Sequence, residues 1–253
     1  MNIATERHAV EASAAQVRLR RELACAFRWA ARLGLHESIA NHFSVALSAD
    51  GREFLINPYG RHFSRIRASD LLLVKADDPS SLAGPNAPDI TASALHSALH
   101  RNQPHARCIL HTHSKYATAL ACLADSSLPP IEQNAMRFFE RVAIDNGFDG
   151  MGLGDEAERV SRLLGDKPIL LMGNHGLLVA APSVAQAFDD LYYFERACEV
   201  YITALSTGRP LRIASDEVAR KTARQWLDYP GFAEKHFAAL LGILEEEEPG
   251  FAH

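Results

Sequence analysis

The run Ile109-Leu110-His111-Thr112-His113 constrains this chain more than any other segment. Its apolar start reads as a buried strand, and residues i and i+2 of a strand project to the same face. The two imidazoles therefore stand side by side over one pocket. Two neutral imidazoles aimed at one point begin a transition-metal site, because imidazole suits zinc, copper, iron and nickel. A third imidazole, His175, lies in Asn174-His175-Gly176, just after the apolar run Pro168-Ile169-Leu170-Leu171-Met172. Three imidazoles with an open position form a catalytic arrangement rather than a closed structural one. The plainer reading of any such pair is a pair of hydrogen-bonded core histidines, so the wider pattern must decide.

Apolar residues at helical spacing from about residue 7 to 33, among them Val17, Leu23, Phe27 and Ala30, predict an opening helix that Gly34 ends. Strands are expected over 40–47 and 53–57, joined at Asp50-Gly51, and over 71–75. The Pro-, Ser-, Gly- and Asn-rich stretch Asp77 to Asp89 reads as a surface loop. Thr91 or Ser93 would cap a helix to about Arg101. After the histidine strand come a helix over 115–124, a break at Pro129-Pro130 and a short strand over 141–144. A helix over 155–164, two strands flanking His175, and a long helix capped by Ser183 follow. The tail from Asp216 to Leu244 is helical and runs into Glu245-Glu246-Glu247-Glu248, expected as a solvated run. No composition break divides the chain. The expectation is one α/β domain over 1–253, with a central, largely antiparallel sheet, a core at about 17–206 and a helical tail at about 216–248.

A net charge of -5 lacks the basic surplus of a nucleic-acid binder. No apolar run approaches the roughly 20 residues that span a bilayer. The start MNIATERHAV lacks the charged-then-apolar pattern of a secretory leader, so a cytoplasmic location is expected. Cys25, Cys108, Cys122 and Cys198 form no CxxC pair and read as free thiols. Cys108 has strand parity opposite to His111, which points it away from the histidine face.

The wider pattern resembles the class II aldolase/adducin family over roughly Val17 to Ser206. It is carried by Leu95-His96, by Arg107-Cys108-Ile109-Leu110-His111-Thr112-His113 and by Asn174-His175-Gly176-Leu177-Leu178. Upstream, Ala40-Asn41-His42-Phe43-Ser44 and Asn57-Pro58-Tyr59-Gly60 match two motifs that line the family's substrate pocket. The resemblance implies a three-layer αβα fold, a homotetramer with sites between subunits and a small-molecule substrate. It also implies a divalent metal on His111, His113 and His175, with zinc first and manganese, cobalt or iron as alternatives. It places His42, Tyr59, Gly60, Thr91 and His96 around the substrate.

The resemblance breaks where the aldolases do their chemistry. Their catalytic Glu falls on Ala92, their phosphate-binding Asn on His42, and their Ser-Ser pair on Ile90-Thr91. A phosphomonoester carries nearly two negative charges and needs several donors. The expected substrate is therefore not a sugar phosphate. His42, Tyr59, His62 and Arg61 or Arg65 are candidates to hold a carboxylate or phenol instead. No residue is assigned as the acid/base. His42 and Tyr59 are the candidates, and Glu132, Glu140, Asp145 and Glu195 are read as surface or helix-pairing groups.

A metal-dependent lyase acting through an enolate, by aldol cleavage or decarboxylation, is the leading expectation. Loss of the Glu suits decarboxylation, which needs no base to remove a hydroxyl proton, or an altered aldol reaction better than the standard aldolase reaction. The alternatives are a non-catalytic module like the adducin head and an iron(II)-dependent oxidation of an aromatic substrate.

Overall fold

The histidine strand occupies the middle of a seven-stranded sheet. The strands are β1 (His42–Ala46), β2 (Glu53–Ile56), β3 (Leu72–Lys75), β4 (Cys108–Thr112), β5 (Val142–Asp145), β6 (Ile169–Met172) and β7 (Gly176–Ala181). Their order is β3-β2-β1-β4-β7-β6-β5. Every neighbouring pair is antiparallel except β5 and β6. The computed structural model describes residues 3–76, 78–84, 86–148, 150 and 155–253. Asp77 and Pro85, inside the expected surface loop, lie outside them.

Alternation along β4 divides the molecule into layers. Cys108 and Leu110 face one side. There they join Phe43, Val45, Leu55, Leu177 and Val179 under α1 (Ile3–Arg32), α3 (Lys115–Ala121), α6 (Val184–Leu205) and α8 (Phe232–Glu247). Ile109 faces the other side with Leu170, Leu178 and Ala180, under Leu99 of α2 (Ile90–Asn102) and Val160 and Leu164 of α5 (Glu156–Leu164). His111 shares the parity of Ile109, so it emerges in the layer beneath α2 and α5. The result is the three-layer α/β arrangement with a mostly antiparallel sheet.

Several local expectations change. Asp89, not Thr91 or Ser93, caps α2, its Oδ1 accepting from the Thr91 and Ala92 backbone N–H groups at 2.9 and 3.1 Å. Its carboxylate reaches those orphan donors ahead of the hydroxyls. A five-residue α4 (Gln133–Arg137) follows the Pro-Pro break, capped by Glu132. The tail is two helices, α7 (Asp216–Leu227) and α8, parted at Gly231 with φ 69°. The terminal glutamates are tethered rather than solvated: Glu247 and Glu248 pair with Arg32, and Glu248 also pairs with Arg28 at 2.9 Å. The hairpin at Asp50-Gly51 forms as expected. Gly51 is required there, because its φ is +73° and a Cβ would sit 2.1 Å from the His100 carbonyl oxygen.

Glu195 explains how the histidine strand is anchored. Its buried carboxylate accepts from Ser114 Oγ at 2.7 Å and from the backbone N–H of Tyr116 and Ala117 at 2.8 and 2.9 Å. It thereby caps α3, which starts one residue after His113 and its neighbour Ser114. Glu195→Ala strands these donors in a buried site, and each such loss costs roughly 1–3 kcal/mol. Urea denaturation should show a destabilisation of about 3 kcal/mol, with an unchanged m-value.

Candidate metal centre

Two elements deliver the three imidazoles. His111 lies in β4 and His113 just beyond its end, on the same side. His175 comes from the tight connection between β6 and β7. Asn174 there takes a left-handed conformation (φ 56°), which asparagine tolerates better than most residues. The His175 N–H closes the turn on the Met172 carbonyl at 3.1 Å, and the Asn174 N–H reaches the Ala121 carbonyl at 3.1 Å. Gly176 lets this turn approach β4, since a Cβ there would lie 2.6 Å from the Thr112 carbonyl oxygen and 2.9 Å from His113 Cδ2.

The rings form a nearly equilateral triangle, with centroid separations of 4.9, 4.8 and 4.9 Å. One nitrogen from each lies within 4.8 Å of the others. His111 Nδ1 sits 3.1 Å from the Leu177 carbonyl, which can only accept, so the proton of this neutral ring is on Nδ1. His113 Nδ1 sits 2.6 Å from Glu37 Oε2. Both contacts turn Nε2 inward, and the two Nε2 atoms meet at 3.1 Å. Burial, reinforced by the neighbouring imidazoles, holds His111 well below the usual histidine range. Burial and then His113 push His175 down to about 4, against the pull of Asp145.

These observations fit a divalent cation. His111, with its proton held on Nδ1, turns an Nε2 lone pair toward the other two rings, the donor a divalent cation takes. A carbonyl or carboxylate on the distal ring nitrogen is the usual device for orienting metal-bound histidine. Three nitrogen donors leave room for a substrate or water.

The triad opens into a cavity of about 540 Å3. His42, Tyr59 and Thr91 line it, as does Ala92, which is 1% exposed and offers no proton carrier. Thr91 Oγ1 donates to Asp89 Oδ1 at 2.5 Å. Tyr59 is 64% exposed. His96 stands behind His42, their Nε2 and Nδ1 2.7 Å apart, and Gly60 turns the chain behind Tyr59 with φ 77°. Ile90 is 74% exposed and is not on the described wall. Nor are His62, Arg61 and Arg65: His62 contacts His36 at 3.2 Å, and Arg61 pairs with Asp70 at 2.9 Å.

The four carboxylates read as structural are engaged elsewhere. Glu132 caps α4, Glu140 pairs with Arg220, Asp145 holds Arg159 through both oxygens, and Glu195 caps α3. Three polar residues that the sequence did not single out belong to the site. Glu37 orients His113. Asn41 Nδ2 and Glu156 Oε2 are both buried, both on cavity-lining residues, and without a hydrogen-bond partner among the described residues. Glu156 Oε1 contacts Arg159 Nη2 at 3.2 Å. Asn41 falls within the pocket motif Ala40-Asn41-His42-Phe43-Ser44, whereas nothing in residue spacing flags Glu37 or Glu156. Glu156 reads only as the first acidic residue of an amphipathic helix.

Residues 21–202 match the family model described as the class II aldolase and adducin N-terminal domain. This chain belongs to that family. Decarboxylase NovR of Streptomyces niveus is 31% identical over 223 residues, covering 86% of this chain and 82% of that one. A protein of Streptomyces roseochromogenus subsp. oscitans, named 4-hydroxy-3-prenylphenylpyruvate oxygenase/4-hydroxy-3-prenylbenzoate synthase, is 30% identical over 204 residues, covering 80% and 73%. The crystal structure of an aldolase II superfamily protein from Pseudomonas syringae superposes with a TM-score of 0.83 at 32% identity, covering 94% of this chain and 96% of that one. Among the described residues, no helix is long and apolar enough to cross a membrane.

Glu37 gives a test of the centre that needs no substrate. Loss of a partner that orients a metal-bound histidine typically costs about 10–100-fold in metal affinity. Glu37→Ala should weaken zinc binding by about that factor in a competition titration with a chelating dye. The far-ultraviolet circular dichroism should stay unchanged, because this carboxylate is on an exposed loop.

Proposed function

We propose that this protein is a metal-dependent lyase for a small hydroxy- or oxo-carbonyl compound or carboxylate, and not for a sugar phosphate. The observation that carries the reading is the convergence of His111, His113 and His175 on a cavity that Ala92 also lines. A divalent cation bound by the three imidazoles, zinc first among the candidates, would supply the Lewis acidity that stabilises an enolate.

The chain's own groups then favour decarboxylation over aldol cleavage. Aldol cleavage requires a base to take a hydroxyl proton. Decarboxylation breaks the C–C bond to release CO2 and requires only a proton for the carbon left behind. Glu156 brings a carboxyl group to the cavity with Oε2 unengaged, and we assign the proton transfer to it rather than to the exposed Tyr59. Asn41 Nδ2 offers two N–H donors to a substrate carboxylate or carbonyl oxygen. The name of the relative NovR accords with this choice.

The test loads the protein separately with zinc, manganese, cobalt and iron(II), and measures CO2 and aldehyde release. The substrates are 2-oxo acids, hydroxylated aromatic acids and sugar phosphates. Wild type should hold one metal per chain, and His111→Ala and His175→Ala should lose it while staying folded. Glu156→Gln should keep the metal and lose turnover by about 10²–10⁴-fold, the usual contribution of a positioned acid or base. Substoichiometric metal in a metal-replete preparation of wild type would sink the reading.

The relative named as an oxygenase favours one competing reading, iron(II)-dependent oxidation. Oxygen uptake by the iron(II) form with a hydroxylated aromatic acid, and none with zinc, would establish it instead. We further propose the family's tetramer for this chain. Light scattering should then give a mass near four times the 27.8 kDa of one chain.

A further inference from the structure

A row of buried polar side chains runs from the far end of α2 to the cavity. His100 Nδ1 lies 2.6 Å from the Ala106 carbonyl oxygen. His100 Nε2 lies 2.7 Å from Ser44 Oγ. Ser44 Oγ is in close contact with His96 Nδ1. His96 Nε2 lies 2.7 Å from His42 Nδ1. His42 stacks on His111, ring centroids 4.7 Å apart, and lines the cavity.

The direction of every hydrogen bond in this row follows from its first member. A carbonyl oxygen can only accept, so His100 carries its proton on Nδ1. His96 and His100 are buried, and among the described residues no carboxylate is in hydrogen-bond contact with any of the three rings, so each ring is neutral, with one proton. His100 Nε2 is then a lone pair, and the Ser44 hydroxyl must donate to it. Ser44 Oγ in turn accepts from His96 Nδ1–H. His96 Nε2 accepts from His42 Nδ1–H. His42 Nε2 is left as a lone pair with no partner among the described residues. Reversing any one bond would set two lone pairs or two protons against each other, in a place where an unmet polar group costs roughly 1–3 kcal/mol.

Register makes the row possible. His42 and Ser44 share one face of β1, with His42 opposite His111 and Ser44 opposite Ile109. His96 and His100 are one helical turn apart on α2, packed over that face.

We propose that this relay locks His42 as a hydrogen-bond acceptor, so that the subsite beside the histidine triad takes a substrate hydroxyl and refuses a fully ionised phosphate oxygen. The inference rests on the lyase reading for its substrate and narrows that substrate to compounds with a hydroxyl next to their chelating oxygens. The locked imidazole presents a lone pair to the cavity, which repels a fully ionised phosphate oxygen. His96 and His100 never reach the cavity, and they act through His42 as positioning residues.

The test reads the ring nitrogens directly. Long-range proton–nitrogen correlation spectra of the metal-free protein at neutral pH should show His42, His96 and His100 protonated on Nδ1 alone. Ser44→Ala removes the link between the rings. It should leave His100 as it is and give mixed tautomers at His96 and His42, and Ser44→Thr should restore the single form.

A second measurement compares glycolate with methoxyacetate on the zinc-loaded protein. The methyl ether keeps the chelating oxygens and has no hydroxyl proton to give. Glycolate should bind about tenfold more tightly, the worth of one hydrogen bond, and His42→Phe should remove that gap with zinc affinity unchanged. A protein that holds none of the four metals would sink the lyase reading and leave the tautomers to decide this one. A wild-type His42 protonated on Nε2 overturns the proposal. So does a His42 nitrogen that becomes a zinc ligand, or a glycolate preference that survives His42→Phe.

Discussion

The alternation of side chains along β4 is the constraint on which the rest depends. One strand must bury Cys108 and Leu110 under α1 and α6 while it presents Ile109 and His111 to the α2 and α5 layer. A shift of one residue in register would exchange the two sets. The imidazoles would then enter an apolar core and the leucines would line the cavity. Apolar burial on both faces therefore fixes the position of His111, and the site inherits its geometry from the packing.

The same register organises the polar layer under α2. His111 lies opposite His42, and Ile109 opposite Ser44. Every second residue of β1 thus meets α2, whose His96 and His100 complete a hydrogen-bonded row. Such a row is costly unless every member is satisfied. Here each donor finds an acceptor until the last lone pair, which belongs to a cavity residue. The triad shows the same economy of protons: the Leu177 carbonyl and the Glu37 carboxylate take up the outer nitrogens and leave the inner ones free. The cavity is consequently rich in acceptors, with Asn41 as its buried, unengaged donor. That balance suits a cation and a substrate bearing hydroxyls better than it suits a phosphate.

Much of this was legible in the chain. The pattern of apolar residues marked the strands and long helices, since burial on one face imposes a period that no other constraint erases. The two histidines at strand spacing, and the third after the next apolar run, marked the triad. The local signals failed where two elements compete for one group. Asp89 outreached Thr91 for the helix cap, and the acidic tail found Arg28 and Arg32 across 215 or more residues of chain. Glu195 read as an ordinary helical carboxylate, and it caps a helix 79 residues away.

The sequence by itself determined the alternation of faces, the three imidazoles and the absence of a carboxylate at Ala92. These are properties of residue identity and spacing along one element, and secondary-structure periodicity carries them without help. Only the tertiary structure decided which lone pairs face the cavity. The tautomer of His42 depends on a carbonyl at Ala106, and the inward turn of His113 depends on a loop at Glu37. Glu156 joins the site from a helix that begins 19 residues before His175. Hydrogen-bond direction is set by partners brought together across the sheet, and those partners exist only once the chain has folded.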